Sequence, residues 1–407
     1  MAQTITKEKK QTKKKKWIRF RHKVVTEVVR PFMVAYCRIR YGLKVPKFRD
    51  GKGQYLILLN HQTPMDQFFV GMALKKPVYY MATEDIFSNG WVSKIIKWVI
   101  APIPIKKQTT DVQAVMNCIR VAREGGSICI APEGNRTYSG KTEYMNPAIA
   151  PMAKKLGLPI LLFRIDGGYG MEPRWSDVVR RGKLTAQVER VIEPEEAKAM
   201  TNEELFAAIE EGLFVNEACT GPEFHHKNLA QYMERCIYIC PHCGLSTFES
   251  HGDILECKKC GRQVRYLPNK ELQGVGFDLP FRYVNDWYEY QKDYVNQLDT
   301  LSMTDKPIYE DRAKVSEVIV YNRKEVLYPD AAIALYGDRF VIEDLVIPFN
   351  EVSTVAVLGR NKLNIYHGDK LYQFKGNKRM NSLKYVHIFY RSKNLGKGDF
   401  DGKFLGL

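Results

Sequence analysis

The stretch that decides the fold joins an apolar run to a predicted helix, and it reads Asn60-His61-Gln62-Thr63-Pro64-Met65-Asp66. The apolar run 54–59 predicts a short buried strand, so His61 lies at a strand end and Asp66 in the first turn of the helix. One turn of chain lets the carboxylate reach the imidazole, fix its tautomer and leave the other ring nitrogen free to take a proton. The alternative is that Asp66 only caps the helix and His61 is a loop residue.

A second polar stretch follows the predicted strand 127–131, and it reads Pro132-Glu133-Gly134-Asn135-Arg136-Thr137. The guanidinium of Arg136 suits phosphate, and Gly134 is a residue that lets the backbone approach a ligand closely. Glu133 can position Arg136 or a substrate hydroxyl. The alternative is an ordinary polar loop with an internal ion pair.

Both stretches belong to a region in which predicted strands alternate with predicted helices, over about residues 50–215. That alternation predicts an α/β domain. The cysteine pairs follow at 236–268, and residues 269–311 are predicted to form a helical linker. From 312 to 396, short β-patterned runs separated by turn residues predict a small antiparallel sheet or barrel, closed by a helix. One of these runs, residues 339–347, reads as a single strand.

The two polar stretches, in this order and 72 positions apart, resemble the glycerolipid acyltransferase family, which includes 1-acylglycerol-3-phosphate acyltransferases. Its first motif, Asn-His-x4-Asp, matches residues 60–66, and its third, Pro-Glu-Gly-Thr-Arg-Ser, matches 132–137 with Asn135 and Thr137 replacing Thr and Ser. The second motif has Lys107 where the family has Arg, and the fourth, at 158–163, lacks its second proline. The C-terminal region resembles pleckstrin-homology or GRAM-type modules in strand rhythm only.

The resemblance implies a mixed sheet flanked by helices and direct acyl transfer without a covalent acyl-enzyme. His61 would be the general base and Asp66 would orient it. The substrate-binding residues would be Lys107, Glu133, Gly134, Asn135, Arg136 and Thr137. The acceptor would be 1-acyl-sn-glycerol 3-phosphate, and the product would be phosphatidic acid in phospholipid biosynthesis. The alternative is acylation of another lysophospholipid or lipid acceptor.

The donor would be an acyl thioester, carried by acyl-carrier protein or coenzyme A. The resemblance implies no catalytic cofactor beyond that donor, and it favours a bacterial source.

The net charge of +16 is concentrated at one end of the chain. Residues 1–49 hold 16 of the 62 Lys and Arg and 2 of the 46 Asp and Glu, which leaves 46 basic and 44 acidic side chains elsewhere. A basic arm on a near-neutral body argues against a protein that binds nucleic acid along its body. No apolar run reaches the roughly 18 residues of a membrane span. We expect a cytoplasmic protein that is peripheral on the inner face of the cell membrane.

The segment 17–41 has helical periodicity, and its predicted apolar side carries Phe20, Val24 or Val25, Val28, Phe32 and Tyr36. Cations lie on the other side, so residues 1–41 are predicted to contact an anionic membrane surface. The alternative is a surface helix packed on the protein body, and both can hold, since one helix can contact the protein and the membrane together.

Two Cys-x-x-Cys-Gly pairs, Cys240 with Cys243 and Cys257 with Cys260, are separated by 13 residues. Four thiolates in two matched knuckles are typical of structural zinc, because they leave no open coordination position for catalysis. A redox pair is the rival interpretation. A zinc ribbon also allows a different class of function, a non-catalytic scaffold or a nucleic-acid-binding protein. The near-neutral charge of residues 50–407 and the intact polar stretches argue against that class.

Overall fold

The computed structural model describes residues 16–48, 53–105, 111–219 and 221–400. Lys107, residues 1–15 of the basic arm and residue 49 therefore lie outside the described residues. The N-terminal half contains helices α1 (Phe20–Tyr41), α2 (Asp66–Ala73), α3 (Trp91–Val99), α4 (Val112–Arg123), α5 (Ile149–Leu156), α6 (Gly168–Met171), α7 (Pro194–Ala199) and α8 (Asn202–Leu213). Its strands are β1 (Leu56–Leu59), β2 (Val78–Thr83), β3 (Ile103–Ile105), β4 (Ser127–Ile130), β5 (Ile160–Asp166) and β6 (Thr185–Ile192).

These six strands form one sheet in the order β3-β2-β4-β1-β5-β6. The pairs from β3 to β5 are parallel, and β5 pairs with β6 in the antiparallel sense. Alternate side chains of β1 enter different cores, because Leu56 and Leu58 pack toward α4, α5 and α8 while Ile57 and Leu59 pack toward α1 and α2. The predicted mixed sheet flanked by helices is confirmed.

Helix α1 lies on the body with its predicted apolar side turned outward. Phe20 is 80% exposed and Phe32 is 68% exposed, and Val24, Val28 and Tyr36 are exposed as well. The helix contacts the body instead through its buried residues His22, Cys37 and Tyr41. The helix is thus packed on the body, as in the alternative, while most of its predicted apolar side stays exposed.

The middle of the chain forms small antiparallel sheets. Its elements are β7 (Ile239–Cys240), β8 (Gly244–Leu245), β9 (Phe248–His251), β10 (Ile254–Cys257), β11 (Gln263–Tyr266), β12 (Leu272–Gly274) and α9 (Val284–Gln297). Strands β7 and β8 pair, and the other four have the order β12-β11-β10-β9. The range 269–311, predicted as a helical linker, holds α9 but also β12 and the start of a further strand. Leu272 pairs with Tyr266, which extends the cysteine-bearing sheet past residue 268.

The C-terminal region is a seven-stranded antiparallel sheet with a final helix. Its elements are β13 (Tyr309–Ile319), β14 (Arg323–Leu335), β15 (Arg339–Ile342), β16 (Leu345–Pro348), β17 (Val352–Leu358), β18 (Lys362–His367), β19 (Lys370–Gly376) and α10 (Leu383–Gly396). The sheet order is β16-β15-β14-β13-β19-β18-β17. The run 339–347 is two strands rather than one, because the chain reverses at 343–344, where Glu343 has a φ of 49°.

The C-terminal half shares one hydrophobic core. Trp175 of the N-terminal half, Trp287 of α9, Phe340 of β15 and Phe389 of α10 all belong to it. Helix α10 is buried along most of its length, from Leu383 to Ser392. The cysteine-bearing sheets and the C-terminal sheet are therefore packed together through this shared core.

Candidate functional site

His61 and Asp66 form a hydrogen-bonded pair at the carboxyl end of β1. The His61 Nδ1 lies 2.8 Å from Asp66 Oδ2. A carboxylate accepts hydrogen bonds, so Nδ1 carries the proton and Nε2 keeps its lone pair. His61 is partly exposed while Asp66 is buried, with a side chain only 1% exposed. The imidazole can therefore meet a substrate while the carboxylate that orients it is shielded from water.

Asp66 is held by the chain that precedes its helix. Its oxygens accept hydrogen bonds from the backbone N–H of Gln62 at 2.7 Å and of Thr63 at 2.9 Å, and from the Thr63 hydroxyl at 2.6 Å. Several donors on one buried carboxylate compensate for its lost hydration. The helix begins at Asp66 itself, and its carboxylate both binds the turn before the helix and orients His61. The alternative in which Asp66 only caps the helix is wrong.

The second polar stretch clamps the backbone of His61. The backbone N–H of His61 donates to Glu133 Oε1 at 2.8 Å, and its carbonyl accepts from the Thr137 N–H at 3.3 Å. Glu133 Oε2 accepts from the Glu143 N–H at 3.2 Å, and the Thr137 hydroxyl donates to the Lys141 carbonyl at 2.7 Å. Glu133 and Thr137, expected to bind substrate, thus bind backbone in this structure.

Burial raises the pKa of Glu133 to about 8, although the N–H donors of His61 and Glu143 act in the opposite direction. The carboxyl is therefore held largely neutral at pH 7. Asp66 is then the carboxylate that supplies negative charge to His61.

Arg136 lies between the two polar stretches. Its Nε donates to the Gln62 carbonyl at 3.2 Å, and its Nη2 donates to the Glu172 carbonyl at 2.9 Å. Burial lowers the pKa of Arg136 to about 10, so the guanidinium remains charged at neutral pH. Neither of these bonds uses Nη1. The structure thus places Arg136, the predicted phosphate-binding residue, next to Gln62, which follows His61.

Gly134 has the role of a turn residue. Its φ is 65°, and a side chain added there would meet nothing within 4 Å. Glycine is therefore required by the left-handed backbone rather than by crowding. Its N–H donates to the Ala131 carbonyl at 3.0 Å, so this donor is already used within the loop. The neighbouring Asn135 accepts a hydrogen bond from Arg174 at 3.4 Å through Oδ1.

Sequence reasoning missed Glu172, a buried residue that connects three parts of the chain. Its carbonyl accepts from Arg136, and its Oε2 accepts from the Tyr41 hydroxyl of α1 at 2.6 Å. Its Oε1 lies 2.6 Å from Nη2 of Arg360, which belongs to the turn between β17 and β18. Arg360 also pairs with Asp177 at 3.2 Å. No sequence pattern connects residues 136, 172 and 360, so only the fold reveals this cluster.

Arg174 makes a second connection to the C-terminal sheet. Its Nη1 donates to the Arg136 carbonyl at 2.8 Å, and its Nε donates to the Gly359 carbonyl at 3.0 Å. The guanidinium also stacks over the Tyr138 ring, 4.2 Å from its centroid. The loop that carries Arg136 is thus tied to the C-terminal sheet by two arginines.

The four predicted cysteines converge. Their sulfurs all lie within 4.8 Å of one another, and Cys240 Sγ is 3.9 Å from Cys260 Sγ. Tetrahedral zinc with Zn–S bonds of about 2.3 Å requires sulfurs about 3.8 Å apart, so the donor set fits this ion. Gly244 and Gly261, which follow the two pairs, both have positive φ and turn the chain around the sulfurs. Backbone N–H groups of His242 and Cys243 point at Cys240 Sγ, as expected of a thiolate knuckle.

Residues 38–165 match the Acyltransferase family profile. The chloroplastic 1-acyl-sn-glycerol-3-phosphate acyltransferase of Arabidopsis thaliana is 23% identical over 150 residues, which cover 35% of this chain and 41% of that protein. The 1-acyl-sn-glycerol-3-phosphate acyltransferase of Bacillus subtilis is 26% identical over 102 residues, which cover 24% of this chain and 51% of that protein. The chain thus spans about half or less of the length of these curated relatives.

The crystal structure of the 1-acyl-sn-glycerophosphate acyltransferase PlsC from Thermotoga maritima is similar at 20% identity, with a TM-score of 0.40. That similarity covers 47% of this chain and 77% of the other. The family match includes both polar stretches of the site. The family match therefore confirms the prediction that this segment is similar to acyltransferases.

Proposed function

We propose that the protein transfers a fatty acyl chain from an acyl thioester to the free hydroxyl of 1-acyl-sn-glycerol 3-phosphate, giving phosphatidic acid. The observation that carries this proposal is the His61–Asp66 pair, 2.8 Å apart and clamped against the loop that holds Arg136. The names of the two curated relatives favour this acceptor over other lysophospholipids. Acyl-carrier protein and coenzyme A both present the required thioester.

In this reaction His61 Nε2 takes the proton of the acceptor hydroxyl while its oxygen attacks the thioester carbonyl carbon. The tetrahedral intermediate then collapses, the C–S bond breaks, and the thiol leaves with the proton returned by His61. Asp66 stabilises the imidazolium between these two steps. Since the Gly134 N–H donates to the Ala131 carbonyl, we expect a different donor to stabilise the oxyanion.

Arg136 would hold the acceptor phosphate with the part of its guanidinium that Gln62 and Glu172 leave unused. Asn135 belongs to the same loop and is proposed to bind the acceptor beside Arg136. Lys107 remains in the proposal as a second cation, although it lies outside the described residues. A guanidinium already fixed by two carbonyls loses little side-chain entropy when phosphate binds, which favours productive orientation.

The substitution His61→Ala tests the proposal, and His251→Ala, at an exposed histidine, is its matched control. Loss of the general base should lower the rate of acyl transfer about 10²–10⁴-fold, with folding retained. The assay supplies 1-acyl-sn-glycerol 3-phosphate with acyl-coenzyme A in one arm and acyl-carrier protein in the other. A folded His61→Ala protein that matches the control in both arms would show that the proposed role of His61 is wrong.

We also propose that α1 and α3 hold the protein on a bilayer, peripherally on the inner face of the cell membrane. Trp91 is 71% exposed, and Val92, Ile95 and Trp98 of α3 are exposed beside α1. Arg21 of α1 lies over the Trp98 ring, 5.1 Å from its centroid, so the two helices present one apolar surface. Aromatic residues beside cations are typical of interfacial helices. Within the part of the chain that the structure describes, no helix combines the length and apolar character needed to cross a bilayer.

The cysteine cluster is proposed to hold a structural zinc ion, bound by Cys240, Cys243, Cys257 and Cys260. The convergence of all four sulfurs within 4.8 Å of one another supports this proposal over a redox pair. Zinc would supply stability rather than catalysis, because all four positions are filled by protein sulfur. The likeness of the C-terminal sheet to headgroup-binding modules stays a prediction.

A further inference from the structure

A concave surface at the start of α1 has a composition that acyl transfer does not require. Its volume is about 180 Å³, and Trp17, His22 and Ala101 form part of its wall. The rest of the wall is cationic and consists of Lys16, Arg19, Arg21, Lys97 and Arg120. No carboxylate lines it among the described residues. We call this feature the cationic pocket.

The helix that begins at the cationic pocket adds to its positive potential. Helix α1 has 22 residues, no acidic residue in its first turn and no side-chain bond at its cap, Arg19. A helix start carries a partial positive charge, which acidic side chains or bound anions normally compensate. The carboxylate of Glu124 bonds Arg120 at 3.1 Å and the backbone N–H of Ile18 at 2.9 Å, which offsets part of this charge. Arg19 and Arg21 instead donate to the carbonyls of Lys16 and Trp98.

His22, in the pocket wall, has a buried ring nitrogen without a hydrogen-bond partner. Its side chain is 2% exposed, and its Nδ1 lies 3.1 Å from the Tyr79 hydroxyl. Burial, and next the charges of Arg21 and Arg19, lower the pKa of His22, so the ring is neutral at pH 7. If Tyr79 donates to Nδ1, the proton lies on Nε2, which is buried without a hydrogen-bond partner. A buried donor beside several cations calls for an oxygen acceptor.

The cationic pocket is remote from the candidate active site. Tyr79 is near the start of β2, Ala101 precedes β3, and Arg120 lies in the last turn of α4 before β4. His61 and Glu133 follow the opposite, carboxyl ends of the same parallel strands. One ligand cannot therefore serve both places.

The cationic pocket borders the apolar surface of α1 and α3. Arg21 donates through Nε to the Trp98 carbonyl at 2.9 Å, and Trp98 and the neighbouring Phe20 are exposed. An anion bound there would have apolar side chains at its edge. Phosphate attached to a lipid satisfies both features, whereas free phosphate satisfies only the charge.

We propose that the cationic pocket binds the phosphate group of an anionic phospholipid of the bilayer, separately from the acceptor phosphate at Arg136. The guanidinium groups and the His22 N–H would bind the phosphate oxygens, while Phe20 and Trp98 enter the interface beside it. This site would fix which end of α1 approaches the headgroups. It does not depend on the acyl-transfer proposal.

A pair of double variants on the same helix tests the proposal. Arg19→Gln/Arg21→Gln removes two charges from the pocket, and Lys23→Gln/Arg38→Gln removes two exposed charges outside it. Binding of the whole protein is measured to phosphatidylcholine vesicles with roughly 20% phosphatidic acid or phosphatidylglycerol. We expect the pocket variant to bind about tenfold or more weakly than its control, because specific charge-assisted bonds are lost besides net charge. Equal binding by the two folded variants would overturn the proposal.

The ring nitrogens of His22 provide a direct readout by ¹⁵N NMR. Dioctanoyl phosphatidic acid should shift the His22 signals and leave the exposed His251 unchanged. Inorganic phosphate at the same concentration is the second arm, and a smaller shift there supports the lipid assignment. An equal shift with free phosphate would overturn that assignment. No shift in either arm would mean that the pocket holds only water, which overturns the proposal entirely.

Discussion

At the scale of single residues, the candidate site depends on carboxyl groups that bind backbone. Asp66 and Glu133 together fix the backbone around His61 from opposite sides. Asp66 also orients the His61 ring, while Glu133 only contacts peptide groups. A buried carboxyl that accepts hydrogen bonds from peptide N–H groups fixes the position of a loop. Its replacement is therefore expected to change protein stability more directly than catalysis.

Glu133→Gln should flatten the pH dependence of stability. The pKa of Glu133 is raised to about 8 in the folded chain by burial, so its neutral form is favoured on folding. Its contribution to the free energy of unfolding is then complete below its ordinary pKa, near 4.5, and declines as pH rises to about 8. The Gln side chain does not titrate. Denaturant unfolding between pH 5 and 8 should show a smaller decline for Glu133→Gln than for wild type.

The exposed Glu203 supplies the control, because Glu203→Gln removes a carboxyl that the core does not contact. Glu217, whose pKa burial raises to about 7, keeps its own contribution in every variant. One group changes the slope by at most about 1.4 kcal/mol per pH unit. Identical slopes for wild type and Glu133→Gln would contradict the prediction.

At the scale of elements, sequence patterns predict the features that the local spacing of residues determines. They fail for features that depend on contacts between distant segments of the chain. The spacing of His61 and Asp66, the two cysteine pairs and the strand–helix alternation all have local signatures, and the structure brings those residues together. The run 339–347 fails because both of its halves are apolar and only the turn at Glu343 divides them. The roles of Glu133 and Thr137 could not be predicted, since backbone partners leave no mark in the identity of a residue.

Removal of zinc tests whether the cysteine cluster holds a structural metal ion. Elemental analysis should find one zinc per chain, and a strong chelator or Cys257→Ser should lower both the zinc content and the thermal midpoint. The free energy of metal binding is folding free energy for such a site, so the loss should amount to several kcal/mol. Cys219→Ser, at an exposed cysteine outside the cluster, should change neither quantity. A metal-free chain with an unchanged midpoint would contradict the proposed ion.

At the scale of the whole molecule, the N-terminal half and the C-terminal sheet behave as one body around Glu172. This residue binds Tyr41 of the surface helix, Arg136 of the candidate site and Arg360 of the C-terminal sheet. The C-terminal sheet also meets the N-terminal half elsewhere, where Lys324 pairs with Asp85. A change at the C-terminal sheet can therefore reach Arg136 through one buried side chain.

The substitution Arg360→Ala tests the connection between the C-terminal sheet and Arg136 through Glu172. Without Arg360, the buried carboxylate of Glu172 loses its ion pair at 2.6 Å and keeps the Tyr41 hydroxyl, Arg40 at 4.0 Å and the charge of Arg136. We expect a stability loss of about 1–3 kcal/mol and a KM for the phosphate-bearing acceptor raised roughly tenfold, with a smaller change in kcat. Arg360→Lys should recover part of the KM, because it keeps the charge but loses the fork.

Arg312→Ala is the matched control, because Arg312 forms an exposed pair with Asp330 at 2.9 Å on the same sheet. Breaking that pair should cost less than about 1 kcal/mol and leave the acceptor KM unchanged. If Arg360→Ala loses stability but keeps the KM of the control, the C-terminal sheet only supports the fold. If it raises the KM as expected, a residue 224 positions beyond Arg136 helps to place the acceptor, and acyltransferase function depends on a region outside the family match at residues 38–165.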